Sequence, residues 1–268
     1  MFKPNINGQL IKILALWLAC FSFSLLIFGC TTPSPPLEPD TPIPPTSTIP
    51  PTVTIVWFPP TPTSTTLPTP IITPTLNLKS RIGELLFLDN FSNSSFWSLA
   101  QSNTSSAALG KGEITLAISQ PKTYLYTLRN GPELDDFYLE INAEPNLCLA
   151  DDEYGVLFRF TPNQEFYRLA LTCDGQIHLD RYIQNRAAMI YPKSYSGAVP
   201  PGAPSRSQIA LWVSTNQIIA FINQQYQFTI TDTAIPGGSI GLFARTGSHD
   251  AMTVNFSDLK VFEVITVK

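Results

Sequence analysis

The chain has 268 residues, of which 44% are hydrophobic and only 13% are charged, and its formal net charge is −4. This length and apolar content suffice for one large domain with its own core, which excludes a mini-protein. There is no basic excess to attract nucleic acid, so we predict no nucleic-acid partner.

The first 29 residues have the features of a secretory signal peptide. Lys3 and Lys12 flank a short positive region, and a mainly apolar run over residues 13–28 follows. A membrane-spanning helix needs about 20 apolar residues, so the run fits a signal peptide better. We therefore predict that the chain is exported.

The end of this run resembles the lipobox of bacterial lipoproteins, in the stretch Ile27-Phe28-Gly29-Cys30. The resemblance implies cleavage before Cys30, a diacylglyceryl thioether on its sulfur and anchoring at the outer face of the cell membrane. Cys20 would then be lost with the signal peptide. The alternative is an uncleaved N-terminal anchor helix with an unmodified Cys30.

Residues 30–80 are rich in Thr, Pro and Ser and are predicted to form a disordered linker. Such a composition cannot bury enough apolar surface to offset the entropy of ordering the chain. Roughly 50 residues at about 3.1 Å each would extend about 150 Å, so the linker would act as a spacer. The apolar stretch Thr52–Phe58 is interpreted as part of this linker rather than as a strand.

From Arg81 onwards, short segments alternate between apolar and polar residues and are separated by turn residues. No long segment has helical periodicity, so residues 81–268 are predicted to be an all-β domain, an antiparallel two-sheet β-sandwich of the jelly-roll type. Residues 185–206 are predicted to be a long loop. The predicted strands are Glu84–Leu88, Gly112–Ile118, Tyr124–Leu128, Phe137–Glu144, Tyr154–Phe160, Glu165–Thr172, Ile177–Gln184, Gln208–Ser214, Gln217–Asn223, Tyr226–Ile230, Ser239–Ala244 and Met252–Val264.

One hairpin allows a prediction of its register. A two-residue Asp174-Gly175 turn would pair Leu169 with Asp180 and bury the carboxylate at considerable cost. A three-residue turn that also includes Cys173 avoids this. It predicts the pairs Leu171–Ile177, Ala170–His178, Leu169–Leu179, Arg168–Asp180 and Phe166–Tyr182.

Cys148 and Cys173 are the cysteines that remain in the predicted domain. In an oxidising compartment a disulfide is the default, and closing a loop of this size contributes about 3 kcal/mol. The alternative is a reactive thiol pair, although the two residues lack the spacing of a CxxC motif.

Several segments in order resemble one known family. They include "FLDNFSNSSFWSL", "DDEYGVLFRFTPNQEFYRLALTCDGQIHLDRY", "GSIGLFARTG" and "VNFSDLKVFEV". Together they look like the concanavalin A-like lectin/glucanase sandwich, near the laminin G-like modules and the 3-keto-disaccharide hydrolase-like domains. The resemblance implies that the first and last strands pair, which places Asp89 near Asp258.

The catalytic motifs of these relatives are missing. Retaining glucanases of this fold carry a strand with paired acids, because two carboxylates must flank the scissile bond, and this chain has no such strand. Where the 3-keto-disaccharide hydrolase-like domains have a Tyr-Glu-x-Gln strand, this chain reads Tyr167-Arg168-Leu169-Ala170. Arginine cannot act as a general base at neutral pH, so we predict no catalytic residue. We also predict no cofactor.

We predict a ligand-binding face on the non-core side of the central strands. Sugar-binding faces combine aromatic platforms with hydrogen-bonding charged groups. The alternative is a solvated face with an ordinary Arg168–Asp180 pair, and His178 by itself is predicted to be structural rather than catalytic. The candidate residues are Arg159, Phe166, Arg168, His178, Asp180, Tyr182 and Trp212.

Two acidic clusters precede predicted strands, Asp135-Asp136 and Asp151-Asp152-Glu153. Oxygen ligands in loops suit Ca²⁺, but the spacing is unlike that of an EF-hand. We therefore predict solvated turn residues and no metal site.

These features favour one function over two alternatives. The leading hypothesis is a non-catalytic surface lipoprotein whose sandwich binds carbohydrate or another cell-envelope polymer. The first alternative is a glycoside hydrolase or lyase with atypical acids, for which Glu140, Glu165 and Asp180 are candidates. The second is a protein–protein interaction module, as laminin G-like domains often are.

Overall fold

A computed structural model describes residues 78–249 and 251–265. The predictions for the signal peptide, Cys20, Cys30 and the linker as far as residue 77 lie outside these residues. Within the described ranges, no helix is long and apolar enough to cross a membrane.

The described chain folds into fourteen strands and two short 3₁₀ turns, at Leu78–Arg81 and Ser94–Phe96. The strands are β1 Ile82–Asp89, β2 Ser105–Gly110, β3 Glu113–Ile118, β4 Tyr124–Leu128, β5 Phe137–Leu147, β6 Glu153–Phe160, β7 Phe166–Thr172, β8 Gln176–Ile183, β9 Arg186–Tyr195, β10 Ser207–Val213, β11 Gln217–Ile222, β12 Gln225–Thr231, β13 Ser239–Arg245 and β14 Met252–Val264. Each of the twelve predicted strands is present, with ends that differ by three residues at most.

The strands form two antiparallel sheets, which confirms the predicted two-sheet sandwich. The eight-stranded sheet has the order β12-β11-β10-β5-β14-β3-β2, and β1 also pairs with β14. The six-stranded sheet has the order β4-β13-β6-β7-β8-β9. Alternate apolar side chains of both sheets, such as Leu139, Val156 and Leu169, fill the core between them.

The hairpin of β7 and β8 has the predicted register. Leu169 pairs with Leu179 in the core, and Arg168 pairs with Asp180 on the opposite side of the sheet. The turn needs a left-handed residue at its end, and Gly175 supplies it with φ +90°. The physical argument against burying Asp180 in the core therefore selects the correct pairing.

Two strands are absent from the prediction. β2 consists of small residues, Ser105–Gly110, whose weak alternation gives little strand signal. β9 occupies Arg186–Tyr195, so the prediction of a continuous loop over residues 185–206 is wrong in its first half. β9 is an edge strand beside β8, where mostly exposed side chains and Pro192 are tolerated.

The first strand is held to the last, as the resemblance implies. Asp89 pairs with Leu259, the neighbour of Asp258. The buried Asp89 carboxylate accepts hydrogen bonds from the Phe91 backbone N–H at 2.9 Å, from Trp97 Nε1 at 3.1 Å and from Arg129 Nε at 3.0 Å. These contacts hold the segment that follows β1 against the sandwich.

Cys148 and Cys173 form a disulfide with a Cα–Cα distance of 5.8 Å, which confirms the predicted pair. Cys148 follows β5 of the eight-stranded sheet, and Cys173 follows β7 of the six-stranded sheet. The bond therefore joins the two layers at one end of the sandwich.

Candidate functional site

The candidate site lies on the side of the six-stranded sheet that faces away from the core, called here the outer face. Because successive residues of a strand point to opposite sides, Phe166, Arg168 and Ala170 of β7 are on this face while Leu169 points into the core. Ala170 pairs with Gly155 of β6 and with His178 of β8. The strands therefore bring residues that are distant in sequence onto one surface.

Small residues form the floor of this face at its centre. A Cβ atom on Gly155 would lie 2.1 Å from the Leu169 carbonyl oxygen, so a larger residue would not fit without a backbone shift. Beside it, Ala170 is fully buried. The cross-strand neighbours on either side are larger, with Phe243 opposite Gly155 and His178 opposite Ala170.

A network of charged side chains crosses the outer face and is called here the ionic cluster. Four of its members are buried, and the other two are partly exposed at its margin. Such burial is stable only when the charges are paired. The members are Glu153, Arg168, His178 and Asp180, with Lys193 and Arg245 at the margin.

Glu153 is the centre of the cluster. Its Oε1 accepts a hydrogen bond from Lys193 Nζ at 2.6 Å, and its Oε2 accepts one from Arg245 Nη1 at 3.1 Å. Arg168 Nη2 lies 3.7 Å from Oε2. Burial would raise the pKa of Glu153, but the neighbouring His178, Lys193 and Arg168 outweigh it and hold that pKa far below its ordinary value.

Arg168 and Asp180 form the second part of the cluster. Arg168 donates to Asp180 Oδ2 from Nε at 3.0 Å and from Nη2 at 2.5 Å. Burial would raise the pKa of Asp180, but His178 and Arg168 outweigh it and lower that pKa. Both carboxyl groups are therefore ionised at neutral pH, whereas a general acid in glycoside hydrolysis needs a raised pKa.

His178 lies between the two carboxylates. Its Nε2 is 3.3 Å from Glu153 Oε1, and its Nδ1 is 3.4 Å from Asp180 Oδ2. These are ion-pair distances, although neither contact has the alignment of a hydrogen bond. Burial would lower the pKa of His178, but the two carboxylates outweigh it and raise that pKa above 6.5.

We expect this arrangement to make folding stability depend on pH. The raised pKa of His178 gives stability that is complete below about pH 6.5 and is lost as the pH rises through the folded-state value. The lowered pKa values of Glu153 and Asp180 give stability that is present above about pH 4.5 and is lost on acidification. Stability should therefore be greatest between about pH 5 and 6.5.

Urea unfolding from pH 5 to 9 tests this expectation. The free energy of unfolding should fall as the pH rises above 6.5, and His178→Gln should flatten this part of the curve. A variant curve parallel to that of the unmodified protein would show that another group is responsible.

Six aromatic rings form a continuous series beside the ionic cluster, called here the aromatic arc. Phe166 stacks on Tyr182 with ring centroids 4.5 Å apart and on Phe160 at 5.0 Å, and Phe160 stacks on Tyr126 at 5.9 Å. Arg168 Cζ lies 5.2 Å from the ring centroid of Tyr182. The full series is Phe243, Tyr124, Tyr126, Phe160, Phe166 and Tyr182.

The arc is most exposed on the edge strand β4. Tyr124 is 38% exposed and Tyr126 is 39% exposed. Both line a cleft of about 550 Å³, and Ser98 and Ser105 line it as well. Flat apolar rings beside polar groups are what an oligosaccharide-binding surface requires. The remaining lining residues are Leu99, Ala100, Leu125 and Leu128.

Five of the seven predicted site residues meet on the outer face. Phe166 and Tyr182 belong to the aromatic arc, and Arg168, His178 and Asp180 belong to the ionic cluster. The interpretation of the outer face as merely solvated does not hold for these three charged residues, because each is more than nine-tenths buried.

The other two predicted residues lie elsewhere. Arg159 has a left-handed backbone, φ 51°, and its buried guanidinium donates to the carbonyl oxygens of Asp135, Ser214 and Ile235. It therefore ties loops together. Trp212 belongs to β10 of the eight-stranded sheet and packs with Leu78 and Ile219. The alternation of residues along one strand predicts neither the loops that Arg159 contacts nor the sheet to which Trp212 belongs.

The structure adds residues that the prediction did not include in the site. Lys193 was missed because its strand was predicted to be a loop, and Glu153 because it was grouped with solvated turn acids. Tyr124 and Tyr126 alternate along a correctly predicted strand, so that strand contained a usable signal. Arg245 is the last residue of β13, on the same side as Phe243.

The candidate acids of the enzyme hypothesis are separated. Glu140 is on β5 of the eight-stranded sheet, where Tyr138 donates to it at 2.6 Å. Glu165 precedes β7, and Asp180 is held in the ionic cluster. Within the described residues these three carboxylates do not form a catalytic pair.

The two acidic clusters have mixed surroundings. Asp135 and Asp151 are exposed, as expected of turn residues. Asp152 and Glu153 are buried, so the prediction of solvation is wrong for them. Asp152 accepts backbone N–H hydrogen bonds from Leu149 and Gly247, both at 2.8 Å. Asp151, Asp152 and His249 bring ligand atoms within 4.8 Å of one another, which is a spacing that a metal ion could use.

Comparisons with known proteins support the fold. No protein-family model matches the chain, and no curated protein sequence matches it. Solved structures do match, among them the carbohydrate-binding module CBM66 from Bacillus subtilis, with 12% identity over 63% of this chain and 96% of that chain and a TM-score of 0.50.

Two glucanases match similarly. The Bacillus licheniformis β-glucanase has 13% identity over 68% of this chain and 98% of that chain, with a TM-score of 0.51. The catalytic domain of an endo-1,3-β-glucanase (laminarinase) from Thermotoga petrophila has 9% identity over 69% of this chain and 100% of that chain, with a TM-score of 0.50. Such low identities bear on the fold alone, and the fold of this chain is a concanavalin A-like jelly-roll sandwich.

Proposed function

We propose that the sandwich binds a carbohydrate polymer across its outer face without cleaving it. The observation that carries this proposal is the aromatic arc, whose exposed members Tyr124 and Tyr126 open onto a cleft of about 550 Å³. Sugar rings have apolar faces and polar edges, so an aromatic platform beside hydroxyl and charged groups suits them.

The proposal of binding without catalysis depends on the ionic cluster. Glu153 and Asp180 are the carboxylates of the ionic cluster, and both are buried and paired with cations. Neither is suited to donate a proton to a leaving group, because a lowered pKa keeps each of them ionised at neutral pH. The cluster can instead fix the strands that carry the aromatic rings.

The solved structures support carbohydrate as the ligand class in general terms. One is a carbohydrate-binding module and two are glucanases, so this sandwich accommodates sugar polymers in those proteins. Fold similarity does not identify a ligand. The proposal for this chain therefore rests on its own residues.

The binding test uses the purified full-length protein on an array of plant, microbial and host polysaccharides. Tyr126→Ala should weaken any binding about tenfold or more, because it removes an exposed stacking platform. The matched control is Tyr226→Ala, which removes a tyrosine that is 57% exposed on β12 of the other sheet. Absence of binding to every polysaccharide, or equal loss in both variants, would contradict the proposal.

We further propose that Cys30 is lipidated and that the Pro/Thr-rich segment spaces the sandwich away from the membrane. The lipobox-like stretch and the composition of residues 30–80 support this proposal. Metabolic labelling with a radioactive fatty acid should mark the unmodified protein and Cys20→Ser, but not Cys30→Ser. Label that persists in Cys30→Ser would refute the anchor.

A further inference from the structure

We infer that the bound polymer is acidic and that Lys193 and Arg245 bind its anionic groups, an inference that rests on the proposed function. The ionic cluster contains more cations than anions. Arg168, Lys193 and Arg245 are positive at neutral pH, and the carboxylates of Glu153 and Asp180 oppose them. This local excess is opposite in sign to the formal net charge of the whole chain, −4.

The excess positive charge is located where a ligand can reach it. Asp180 is paired with the buried Arg168, which leaves Glu153 as the carboxylate shared by the other cations. The side chains of Lys193 and Arg245 are 37% and 45% exposed, whereas that of Glu153 is 1% exposed. A ligand approaching the outer face therefore meets the cations and not the carboxylate that they share.

The two cations bind the same carboxylate. They donate to the two different oxygens of one carboxylate, at 2.6 Å and 3.1 Å. Each group has more N–H donors than the one it directs to Glu153. Pairing with a buried acid holds the side chains in place, so less conformational entropy is lost when they bind an anion.

The cations are also close to exposed aromatic residues. Arg245 pairs with Tyr124 in the register of β13 and β4. Tyr195, which is 77% exposed, follows Lys193 by two residues on β9. A sugar stacked on Tyr124 would present its substituents to Arg245, where a carboxylate or sulfate group gains charge-assisted hydrogen bonds.

The test compares polymers that differ in charge. The full-length protein is titrated with polygalacturonate, with its fully methyl-esterified form and with dextran sulfate, which separates carboxylate from sulfate recognition. Polygalacturonate, dextran sulfate or both should bind at least about tenfold more tightly than the ester, and this preference should weaken as salt is added.

Variants locate the effect. Lys193→Met and Arg245→Met should each weaken acidic-polymer binding about tenfold, and Arg245→Lys should weaken it less. Arg206→Met is the control, because Arg206 is 60% exposed and pairs with Glu144 on the eight-stranded sheet. If a methionine variant fails to fold, the salt dependence of the unmodified protein and Arg245→Lys still decide the question.

Four results would overturn the inference. Equal or tighter binding of the neutral ester would do so while leaving the proposed function intact, and absence of binding to any glycan would remove both. Equal loss of binding in Arg206→Met would indicate non-specific attraction. Comparable affinity for a single-stranded oligothymidylate would indicate a general polyanion surface rather than a glycan site.

Discussion

Glu153→Gln should lower the free energy of unfolding by about 3–5 kcal/mol, because it removes the anion that buried cations share. The glutamine has nearly the same shape, so the loss would come from charge rather than from packing. Arg168 and His178, both more than nine-tenths buried, would lose a compensating carboxylate. The measurement is equilibrium urea unfolding at pH 6, where His178 is protonated.

Glu144→Gln is the matched control for this substitution. Glu144 pairs with Arg206 at 3.0 Å, but the two side chains are 37% and 60% exposed. Exposed pairs contribute about 0–1 kcal/mol, so this variant should unfold close to the unmodified protein. If both substitutions cost the same, the ionic cluster has no special part in stability.

Glu153→Gln also separates a role of the ionic cluster in stability from a role in binding. If the ionic cluster serves mainly to position the aromatic arc, Glu153→Gln should weaken polysaccharide binding even where the variant is still folded. The contacts of Arg168 with Tyr182 and Phe243, at 5.2 Å and 5.4 Å, connect the two networks. Charge and aromatic packing on the outer face therefore form one structural unit.

Much of the sandwich is predictable because its strands obey simple physical rules. In the β7–β8 hairpin, the cost of burying Asp180 in the core selects one register, and the structure has that register. The disulfide is predictable from the small number of cysteines in the domain. β9 is not predictable in this way, because an edge strand needs no apolar alternation to be stable.

The site is less predictable because it depends on which strands become neighbours. Lys193 and Arg245 contact the same carboxylate only because β9 and β13 lie on opposite sides of the β6-β7-β8 segment in one sheet. Trp212 and Arg168 look equivalent in sequence, as large residues in alternating strands, yet they belong to different sheets. Local sequence patterns predict the side of a strand on which a residue lies, whereas predicting the site requires the order of the strands in the sheet.

Removing the Cys148–Cys173 disulfide should lower the free energy of unfolding by about 3 kcal/mol, chiefly because the unfolded chain has more conformational entropy without the bond. The bond closes a loop between residues separated by 25 positions, and that loop contains all of β6 and β7. Without it, the unfolded chain exposes more surface, so the urea m-value should increase as the midpoint falls.

The measurement is urea unfolding of the unmodified protein with and without reductant, together with the double variant Cys148→Ala/Cys173→Ala. Reductant should shift the unmodified protein towards the double variant and leave the double variant unchanged. An unchanged midpoint in the double variant would contradict the prediction. Because Cys173 follows β7, which carries Arg168, the bond joins the outer face covalently to the end of β5.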